Sequence, residues 1–560
     1  MASAAPAFTA WRDDFLAAYF RQNPVNATFI GVHAHDHRLP DYSEHGLGDR
    51  RAEIETLLAR LETLPAEPLS EAEALDRTLA EGHLRIQHWE LDSAQFRHGN
   101  PSLFISEAVF GVMSLFLRRF APLDERVESA VARLHAIPAL MAQGKEQLHA
   151  APAAWTARAL DECAGTLAFL GEGIDLLLAG EGIDDARARR AADVATAAVV
   201  EFQHHLETET LLRQPEGYAA GGEALDLLLK HGHFLAQDAA VIEAYAADQL
   251  AESEAKLREG AATLGAADWQ AALARLEDSH PSAAGYLPRF EEIWRAARAH
   301  TERHELVSWP DYPLRYVPRP AWTRAAAPHL YFLFYRAPAA FDRVPVVDYL
   351  VAPLDGLDAE QQERLLRATN DSVITLNHVV HHGGLGHHVQ NWYAYNRAES
   401  RLGQVAAVDC ASRIAMFCGG TMAEGWACYA TELIAEAGFL TPLQQLSVQH
   451  SRARMAARAI VDVRLHTGRL TLEEAARFYQ ERTGMSAGAA RAEAVKNSLF
   501  PGAALMYLLG TDQIWSLRRE LERRAGFSLR AFHDRFLSYG SVPVALIAQA
   551  MRAEAGFETQ

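Results

Sequence analysis

Apolar side chains recur every three or four residues along most of the chain, which is the spacing of an amphipathic helix. The first example is a stripe of aromatic residues near the N-terminus, formed by Phe8, Trp11, Phe15 and Tyr19. Most segments between Arg51 and about Gly265 repeat the spacing, and Ser70 with Glu73 predicts a capping box there. Because such helices bury their apolar stripes against each other, the pattern predicts a mainly helical protein.

Two stretches have the composition of β-strands. His329–Pro338 and Val344–Pro353 are short, rich in Tyr, Phe and Val, and bounded by proline. Aromatic and β-branched residues between turn-forming residues favour strands. We therefore expect a small sheet directly before the histidine-rich segment that follows.

Histidines are concentrated between residues 378 and 388. Five of the 25 histidines of the chain lie in these eleven positions, namely His378, His381, His382, His387 and His388. Imidazole is the commonest metal ligand in proteins and titrates near neutral pH. The concentration therefore indicates metal or proton chemistry rather than a polar surface turn.

Helix geometry restricts which of these histidines can bind one ion. On a straight helix, His378 and His382 lie on one face about 6 Å apart along the axis, so this pair could chelate. His381 and His387 point to nearly opposite sides of such a helix. His381 and His388 share a face but lie about 10 Å apart along the axis, which is too far for a single ion.

A break in the helix would bring the more distant histidines together. Gly383, Gly384 and Gly386 lie between His381 and His387, and glycine adopts backbone conformations that other residues resist. We therefore expect either a helix broken at these glycines or an ion bound by the closer pair, His378 and His382.

A carboxylate follows on a second predicted helix. Apolar spacing from Met422 to Ile434 indicates this helix, and Glu424 lies near its beginning. A carboxylate is what two histidines need to complete a three-ligand site with an open position. The alternative is an ordinary interaction of Glu424 with the helix dipole.

Composition and charge exclude several classes of protein. The 560 residues are 49% hydrophobic, which allows a large core, and they contain no Gly/Ser linker. A formal net charge of −19 disfavours nucleic-acid partners and anionic membranes. The N-terminus lacks the pattern of a signal peptide, and no window approaches 18 uncharged apolar residues. We expect a soluble, cytoplasmic enzyme with residues 1–560 forming a single domain.

The segment HHGGLGHHVQ, residues 381–390, resembles a motif of the bacterial DUF885 family, His-Glu-x-x-Pro-Gly-His-His-Leu-Gln. The matching positions are His381, Gly386, His387, His388 and Gln390. Leu385 replaces the proline and His382 replaces the glutamate of the motif. The second difference affects the chemistry, because in zinc peptidases that glutamate takes a proton from water.

Later parts of the chain resemble the same family. Glu424 begins a Glu-Gly-Trp-Ala motif, and Tyr507 lies in FPGAALMYLLG, which resembles Pro-Gly-Gln-Ala-x-x-Tyr-x-x-Gly. Further family-like positions are Asp462 with His466 and His533 with Asp534, and Lys496 stands where the family often has an arginine.

The fold of DUF885 proteins looks like that of the M32 carboxypeptidases and other gluzincin metallopeptidases. The resemblance implies a large multi-helix fold with a deep groove and a small β-sheet near a metal site. Residues 1–310 would form a helical wall, and residues 311–560 would form the metal-site half. The expected ligands of one divalent ion are His381, His387 or His388, and Glu424. Zinc is the expected ion, with Fe(II) and Mn(II) as alternatives.

The resemblance also suggests roles for other residues. His382 would act as general base or as a ligand, and Tyr507 would stabilise an oxyanion. His466 is a further catalytic candidate. The residues expected to contact substrate are Lys496, Gln390 and His533.

Together, these expectations predict that the protein is a metal-dependent hydrolase of peptide or amide bonds. Its substrate would be a short peptide or a small molecule. One alternative is a non-hydrolytic metalloenzyme, because two histidines and a glutamate without a neighbouring general base also describe an Fe(II) site. The other alternative is a degenerate member of the family that only binds peptides.

Overall fold

The computed structural model describes residues 6–65, 68–210, 217–330, 340–342, 344–405 and 420–554. These residues are mainly helical, as predicted. The α-helices of the first 310 residues are Pro6–Gln22, Pro24–Ile30, Glu44–Glu62, Glu71–Glu90, Pro101–Met113, Leu123–Gln147, Ala153–Ala168, Ile174–Glu181, Ala186–His205, Gly222–His231, Ala239–Thr263, Trp269–Ala274 and Tyr286–Arg303. Short 3₁₀ turns are His33–His35 and Arg275–Asp278, and short π-helical turns are Ala94–His98, Phe169–Gly173 and Leu206–Thr210.

The remaining residues form the part of the fold that carries the predicted site. Its α-helices are Ala359–Ala368, Asp371–Val373, His387–Arg397, Arg401–Val405, Gly420–Glu436, Pro442–His466, Leu472–Thr483, Ala487–Leu499, Met506–Leu521, Leu529–Ser538 and Val544–Ala553. A 3₁₀ turn spans Ala321–Thr323, and a π-helix spans Ile374–Gly383.

Five of these elements position the site. The π-helix Ile374–Gly383 is the histidine segment, Gly420–Glu436 is the glutamate helix, Pro442–His466 is the arginine helix, Ala487–Leu499 is the lysine helix and Met506–Leu521 is the tyrosine helix.

The sequence patterns that predicted individual helices are confirmed. The first helix buries its aromatic stripe, and the Trp11 indole N–H donates to the carbonyl of Leu57 at 2.9 Å. Ser70 and Glu73 form the predicted capping box, in which each side chain bonds to the other residue's backbone N–H. The glutamate helix covers the predicted span from Met422 to Ile434.

A small parallel sheet lies beside the histidine segment. Its strands are β1, Leu314–Pro318, and β2, Val347–Val351, and Tyr316 pairs with Tyr349 in register. Strand β2 confirms the second predicted strand. Most of the first predicted strand, His329–Pro338, lies outside the described residues. Strand β1 was not predicted, because it is only five residues long and ends in proline, which is rare inside strands.

The predicted break between the histidines is confirmed. The histidine segment ends at Gly383, and the next helix begins at His387 after three residues. The chain turns so tightly that the N–H of Gly386 donates to the carbonyl of Val380 at 2.8 Å. A Cβ atom on Gly386 would lie 2.0 Å from the carbonyl oxygen of His381, so this position requires glycine.

The glutamate helix and the tyrosine helix cross in close contact. A Cβ on Gly425 would lie 2.6 Å from the backbone of Gly510, and a Cβ on Gly510 would lie 2.1 Å from the carbonyl oxygen of Thr421. The two glycines therefore let the backbones touch. This contact fixes Glu424 on one helix relative to Tyr507 on the other.

One segment among the described residues, Ala153–Glu181, is long and apolar enough to cross a membrane by length and composition alone. However, 44% of its most apolar window is buried inside the structure, and core helices of soluble proteins pass the same test. Trp155 in this segment is completely buried and donates its indole N–H to Ser498 at 2.7 Å. The segment is thus weak evidence for a membrane span.

Candidate metal centre

Two imidazoles face one carboxylate oxygen. The Nε2 atoms of His381 and His387 lie 3.3 Å and 3.8 Å from Oε2 of Glu424. The three side chains are between 13% and 18% exposed, so solvent reaches the group from one side only. The helix break therefore brings together residues that a straight helix would hold apart.

His382 belongs to the same cluster. One nitrogen each from His381, His382 and His387 can be chosen so that all three lie within 4.8 Å of one another. The ring centre of His382 lies 4.6 Å from that of His381 and 5.2 Å from that of His387. This position is compatible with both predicted roles of His382, as a ligand and as a base beside the ion.

Two tryptophans hold the loop between the histidines in place. The indole of Trp294 donates to the carbonyl of Gly383 at 2.8 Å, and the indole of Trp426 donates to the carbonyl of Leu385 at 2.9 Å. Trp426 lies on the glutamate helix, two residues after Glu424. The same helix therefore supplies the carboxylate and fixes the loop that carries the imidazoles.

Gln390 orients His387. The Nδ1–H of His387 donates to Oε1 of Gln390 at 3.2 Å, and Gln390 is buried. This hydrogen bond leaves the lone pair of Nε2 directed at Glu424. Histidines that bind metals almost always donate their other ring N–H in this way. Gln390, which we expected to contact substrate, instead contacts a candidate ligand.

The charge states of the group suit a cation. Burial raises the pKa of Glu424, but the hydrogen bond from His381 and the charges of His387, His381 and Lys496 lower it to about 2. Burial lowers the pKa of His387 to about 4 against the influence of Glu424. Burial and the neighbouring histidines also lower the pKa of His382 well below its usual value. At neutral pH the site thus offers an ionised Glu424 and the neutral imidazoles of His387 and His382, the forms that bind metals.

These donors fit a divalent transition metal. Imidazole nitrogens and a carboxylate oxygen are the usual ligands of zinc, and they also suit Fe(II) and Mn(II). The residues that would hold the ion are His381, His387 and Glu424, with His382 adjacent.

The other two histidines of the segment lie outside the cluster. The ring of His388 stacks on Tyr312 at 5.3 Å, and its Nε2–H donates to the carbonyl of Tyr312 at 2.8 Å. Nδ1 of His378 accepts a hydrogen bond from the Tyr349 hydroxyl at 2.7 Å. Of the predicted alternatives, the structure therefore brings His387 rather than His388 to Glu424, and it does not pair His378 with His382.

His381, His382 and Glu424 of the cluster lie in the wall of a cavity of about 960 Å³. The walls come from the helix Ala153–Ala168, the histidine segment, the glutamate helix, the arginine helix, the lysine helix and the tyrosine helix. Lys496 and Tyr507 line the cavity together with His381, His382 and Glu424. The guanidinium of Arg458 lies over the Tyr507 ring, 4.7 Å from its centre.

Two predicted site residues lie away from the cluster. His466 is completely buried, and its Nε2–H donates to the carbonyl of Asn497 at 2.9 Å. His533 is also completely buried, and its ring nitrogens lie 2.5 Å from the carbonyl of Leu306 and 2.8 Å from the hydroxyl of Tyr429. Neither is among the described residues that line the cavity, so the structure does not bring His466 or His533 to the site for which catalysis and substrate binding were predicted.

Asp462, the family-like partner of His466, is buried too. Its carboxylate accepts hydrogen bonds from the backbone N–H groups of Gly502 and Leu505, at 2.9 and 3.0 Å. It therefore holds the turn that precedes the tyrosine helix.

The sequence interpretation missed the arginines of the cavity. Arg454 and Arg458 lie one turn apart on the arginine helix, and Arg458 pairs with Glu493 of the lysine helix at 2.6 Å. The signal was present, because both interrupt a segment whose other positions include alanines at 453, 456, 457 and 459. Charged residues four apart within an alanine-rich stretch of a helix indicate a polar cavity or a buried ion pair.

Solved structures resemble this chain over nearly its whole length. A protein described as "a putative lipoprotein of unknown function from Shewanella oneidensis" is 22% identical, with a TM-score of 0.77 over 97% of this chain and 99% of that one. A "putative lipoprotein from Colwellia psychrerythraea" is 18% identical, with a TM-score of 0.76 over 98% of each chain. At these identities the likeness shows a shared fold. The word lipoprotein describes those proteins and differs from the cytoplasmic location predicted for this chain.

No curated protein matches the sequence. A family model described as "Bacterial protein of unknown function (DUF885)" matches residues 24–551, which include the histidine segment, Glu424 and Tyr507. The match supports the resemblance drawn from the sequence motifs, and the chain belongs to the DUF885 family.

Proposed function

We propose that this protein is a metal-dependent hydrolase of peptide or amide bonds. The observation that carries the proposal is the convergence of two imidazole Nε2 atoms on one oxygen of Glu424, at 3.3 and 3.8 Å, in the wall of a large cavity. The resemblance to gluzincin peptidases of the M32 type supplies the class of reaction. A cavity of about 960 Å³ has room for a short peptide.

A divalent ion in this site, with zinc the first candidate, would polarise the scissile carbonyl and lower the pKa of water. His382 is neutral at neutral pH and can accept a proton. Tyr507 would donate its phenolic hydrogen bond to the developing oxyanion, and Lys496 would supply a positive charge nearby. Gln390 accepts the Nδ1–H of His387 and thereby keeps this ring in the tautomer whose Nε2 lone pair can bind the ion.

His382 makes a weaker base than the glutamate of the family motif. Its pKa is lowered by burial and by the neighbouring histidines, and a base transfers protons best when its pKa lies near the working pH. We therefore propose slow turnover, which replacement of His382 by glutamate would accelerate.

A second function is favoured by one specific observation. The nitrogen of His382 lies within 4.8 Å of those of His381 and His387, so the site can offer three imidazoles, and Glu424 beside His381 and His387 would be a fourth ligand. Four protein ligands would fill a tetrahedral zinc site, whereas six-coordinate iron or manganese would keep two open positions. A non-hydrolytic Fe(II) or Mn(II) enzyme is thus the alternative.

Elemental analysis and one variant separate these functions. Protein purified without added metal should contain zinc, and metal-loaded protein should hydrolyse members of a broad panel of peptides and amides. If His382 is a base, His382→Ala should lower hydrolysis by roughly 10²-fold with unchanged metal content. If His382 is a ligand, His382→Ala should lower the metal content, and iron or manganese should predominate in wild-type protein.

Two results would contradict the proposal. The first is less than about 0.2 equivalents of any transition metal without gain on reconstitution, because such a ligand set should bind far more tightly. The second is a metal-loaded wild type that hydrolyses nothing in the panel, while His382→Glu gains activity.

A further inference from the structure

We infer that Arg454 binds a free carboxylate of the substrate, so that the enzyme prefers peptides with an anionic group near the scissile bond. The inference rests on the proposed function for the reaction, and it concerns the class of substrate. One cation in the cavity, Arg454, forms no ion pair with any carboxylate of the described residues.

The arginines that line the cavity differ in their partners. Arg158 pairs with Glu162 at 2.9 Å, Arg458 pairs with Glu493 at 2.6 Å, and Arg491 pairs with Glu473 at 2.9 Å. Within the described part of the chain, Arg454 forms no ion pair, and its buried Nε atom has no hydrogen-bond partner. It is thus the exception among the cavity arginines.

A cation without an ion-pair partner is disfavoured in this position. Burial and the charge of Arg458 lower the pKa of Arg454 to about 10, although the charge of Glu493 acts in the opposite direction, so the guanidinium is still protonated at neutral pH. Buried charges without an ion-pair partner are rare in proteins and usually have a ligand or a function. An anion that enters the cavity would supply the missing partner.

The position of Arg454 relative to the candidate metal centre suits this role. Both lie on the wall of one cavity, and Lys496 lines the same cavity. Arg458 is held by Glu493, whereas Arg454, one turn earlier on the arginine helix, lines the cavity without an ion pair to the described residues. A substrate bound in this cavity would therefore share it with both the cluster and Arg454.

The chemistry of the guanidinium selects the ligand. Its planar fork matches a carboxylate with two parallel hydrogen bonds, a geometry that a lysine cannot provide. In a peptide the carboxylate can be the C-terminal group or the side chain of Asp or Glu. Both sources present the same chemistry to Arg454, so experiment must separate them.

Equilibrium binding to metal-free protein tests the inference without turnover. The probes are N-acetyl-Ala-Ala with a free C-terminus, its C-terminal amide, and N-acetyl-Glu-Ala amide, measured by calorimetry with wild type, Arg454→Met and Arg454→Lys. Wild type should bind the free acid about 10- to 100-fold more tightly than the amide, as expected for a charged bidentate hydrogen bond. Arg454→Met should remove this preference, and Arg454→Lys should keep only part of it.

A matched control and the third probe complete the design. Arg491→Met removes another arginine of the same cavity, which already has a carboxylate partner, and should leave the preference unchanged. Tighter binding of the Glu amide than of the Ala amide would assign the pocket to a side-chain carboxylate instead of the C-terminus. The thermal stability of each variant shows whether it is folded, and the comparison of acid and amide in wild type needs no variant.

Several outcomes would overturn the inference. The first is a wild type that binds the acid and the amide equally tightly, and the second is a wild type that binds neither. The third is a preference for the acid that persists in Arg454→Met, which would show that another cation binds the carboxylate. These results leave the proposed hydrolase intact if metal-loaded protein still cleaves amidated peptides. Conversely, a wild type that prefers the free acid over the amide but hydrolyses no peptide when loaded with metal would contradict the proposed function and leave the inference about Arg454 standing.

Discussion

His387 and His388 are adjacent and chemically identical, yet their rings make different contacts. His387 donates to Gln390 and faces Glu424, whereas His388 stacks on Tyr312 and donates to its carbonyl. Neighbouring side chains on a helix point about 100° apart, so only one of the two can face a given carboxylate. The hydrogen-bond partners of each ring therefore distinguish a candidate ligand from a structural residue.

Replacing each histidine by phenylalanine should separate these roles. His388→Phe keeps the ring that stacks on Tyr312 but removes the hydrogen bond to its carbonyl. It should lower the free energy of unfolding by about 1–3 kcal/mol and leave the metal content unchanged. His387→Phe should strongly lower the metal content. Urea unfolding and elemental analysis measure the two effects, and loss of metal in His388→Phe would contradict the assignment.

Gln390 should affect the metal centre without touching the ion. Gln390→Leu removes the acceptor that fixes the tautomer of His387, so metal affinity should fall roughly 10- to 100-fold. Gln390→Glu keeps an acceptor at this position and should restore most of the affinity. Competition with a chelator gives the affinities. Equal affinities for wild type and Gln390→Leu would show that Gln390 has no such role.

At the scale of elements, close contacts between backbones set the geometry of the site. Gly386 allows the tight turn between the two histidine-bearing elements, and Gly425 with Gly510 allows the glutamate and tyrosine helices to touch. Sequence could predict the break, because three glycines lie within four residues, and it could predict the glutamate helix from apolar spacing. It could not predict the helix crossing, since single glycines 85 residues apart give no signal of contact.

A methyl group at position 510 should disturb this crossing. In Gly510→Ala the new Cβ would lie 2.1 Å from the carbonyl oxygen of Thr421, so the two helices must separate. Overpacking of this kind should lower the free energy of unfolding by about 1–3 kcal/mol, and the shift of Glu424 relative to Tyr507 should lower any hydrolytic activity.

Gly488→Ala is the matched control. Gly488 lies in the lysine helix, where no atom of the described part of the chain lies within 4 Å of a new Cβ, so alanine should stabilise the helix by about 0.5–1 kcal/mol. Thermal unfolding of both variants measures the difference. Equal stability of the two would show that the crossing tolerates a side chain.

At the scale of the whole molecule, polar contacts connect residues that lie more than 300 positions apart. The Asp76 carboxylate accepts hydrogen bonds from the hydroxyl of Ser400 and the N–H of Leu402, and His33 lies 2.8 Å from Asp342. Sequence patterns cannot predict such pairs, because amphipathic spacing reports only which face of a helix is buried. Composition and periodicity did predict the mainly helical character and the strand at Val347–Val351.

The contact of His33 should make stability depend on pH. Burial lowers the pKa of His33, but hydrogen bonds to Asp342 and Asp36 outweigh it and raise the pKa from 6.5 to about 9. The folded state thus favours the protonated ring. The stabilisation is complete below pH 6.5 and is lost as pH rises from 6.5 through about 9.

Comparison of wild type with His33→Gln isolates this effect. The loss of unfolding free energy caused by His33→Gln should be about 1–3 kcal/mol larger at pH 6 than at pH 9.5. Solvent screening of the partly exposed ring keeps this value below the one that the full pKa shift would give. His45→Gln, which removes an exposed histidine 3.5 Å from Asp49, should show little difference at either pH. A difference for His33→Gln that does not change with pH would exclude a protonated His33 in the folded protein.

The distance in sequence between Asp76 and its partners has a consequence for biosynthesis. Asp76 is completely buried, and Ser400, Arg401 and Leu402 supply hydrogen bonds to its carboxylate. A ribosome that adds roughly 5–20 residues per second makes those partners about 15–65 s after Asp76. During this interval the emerging N-terminal helices cannot complete their packing. We expect the nascent chain to expose apolar helix faces until its last third is made, and to depend on chaperones that bind such surfaces.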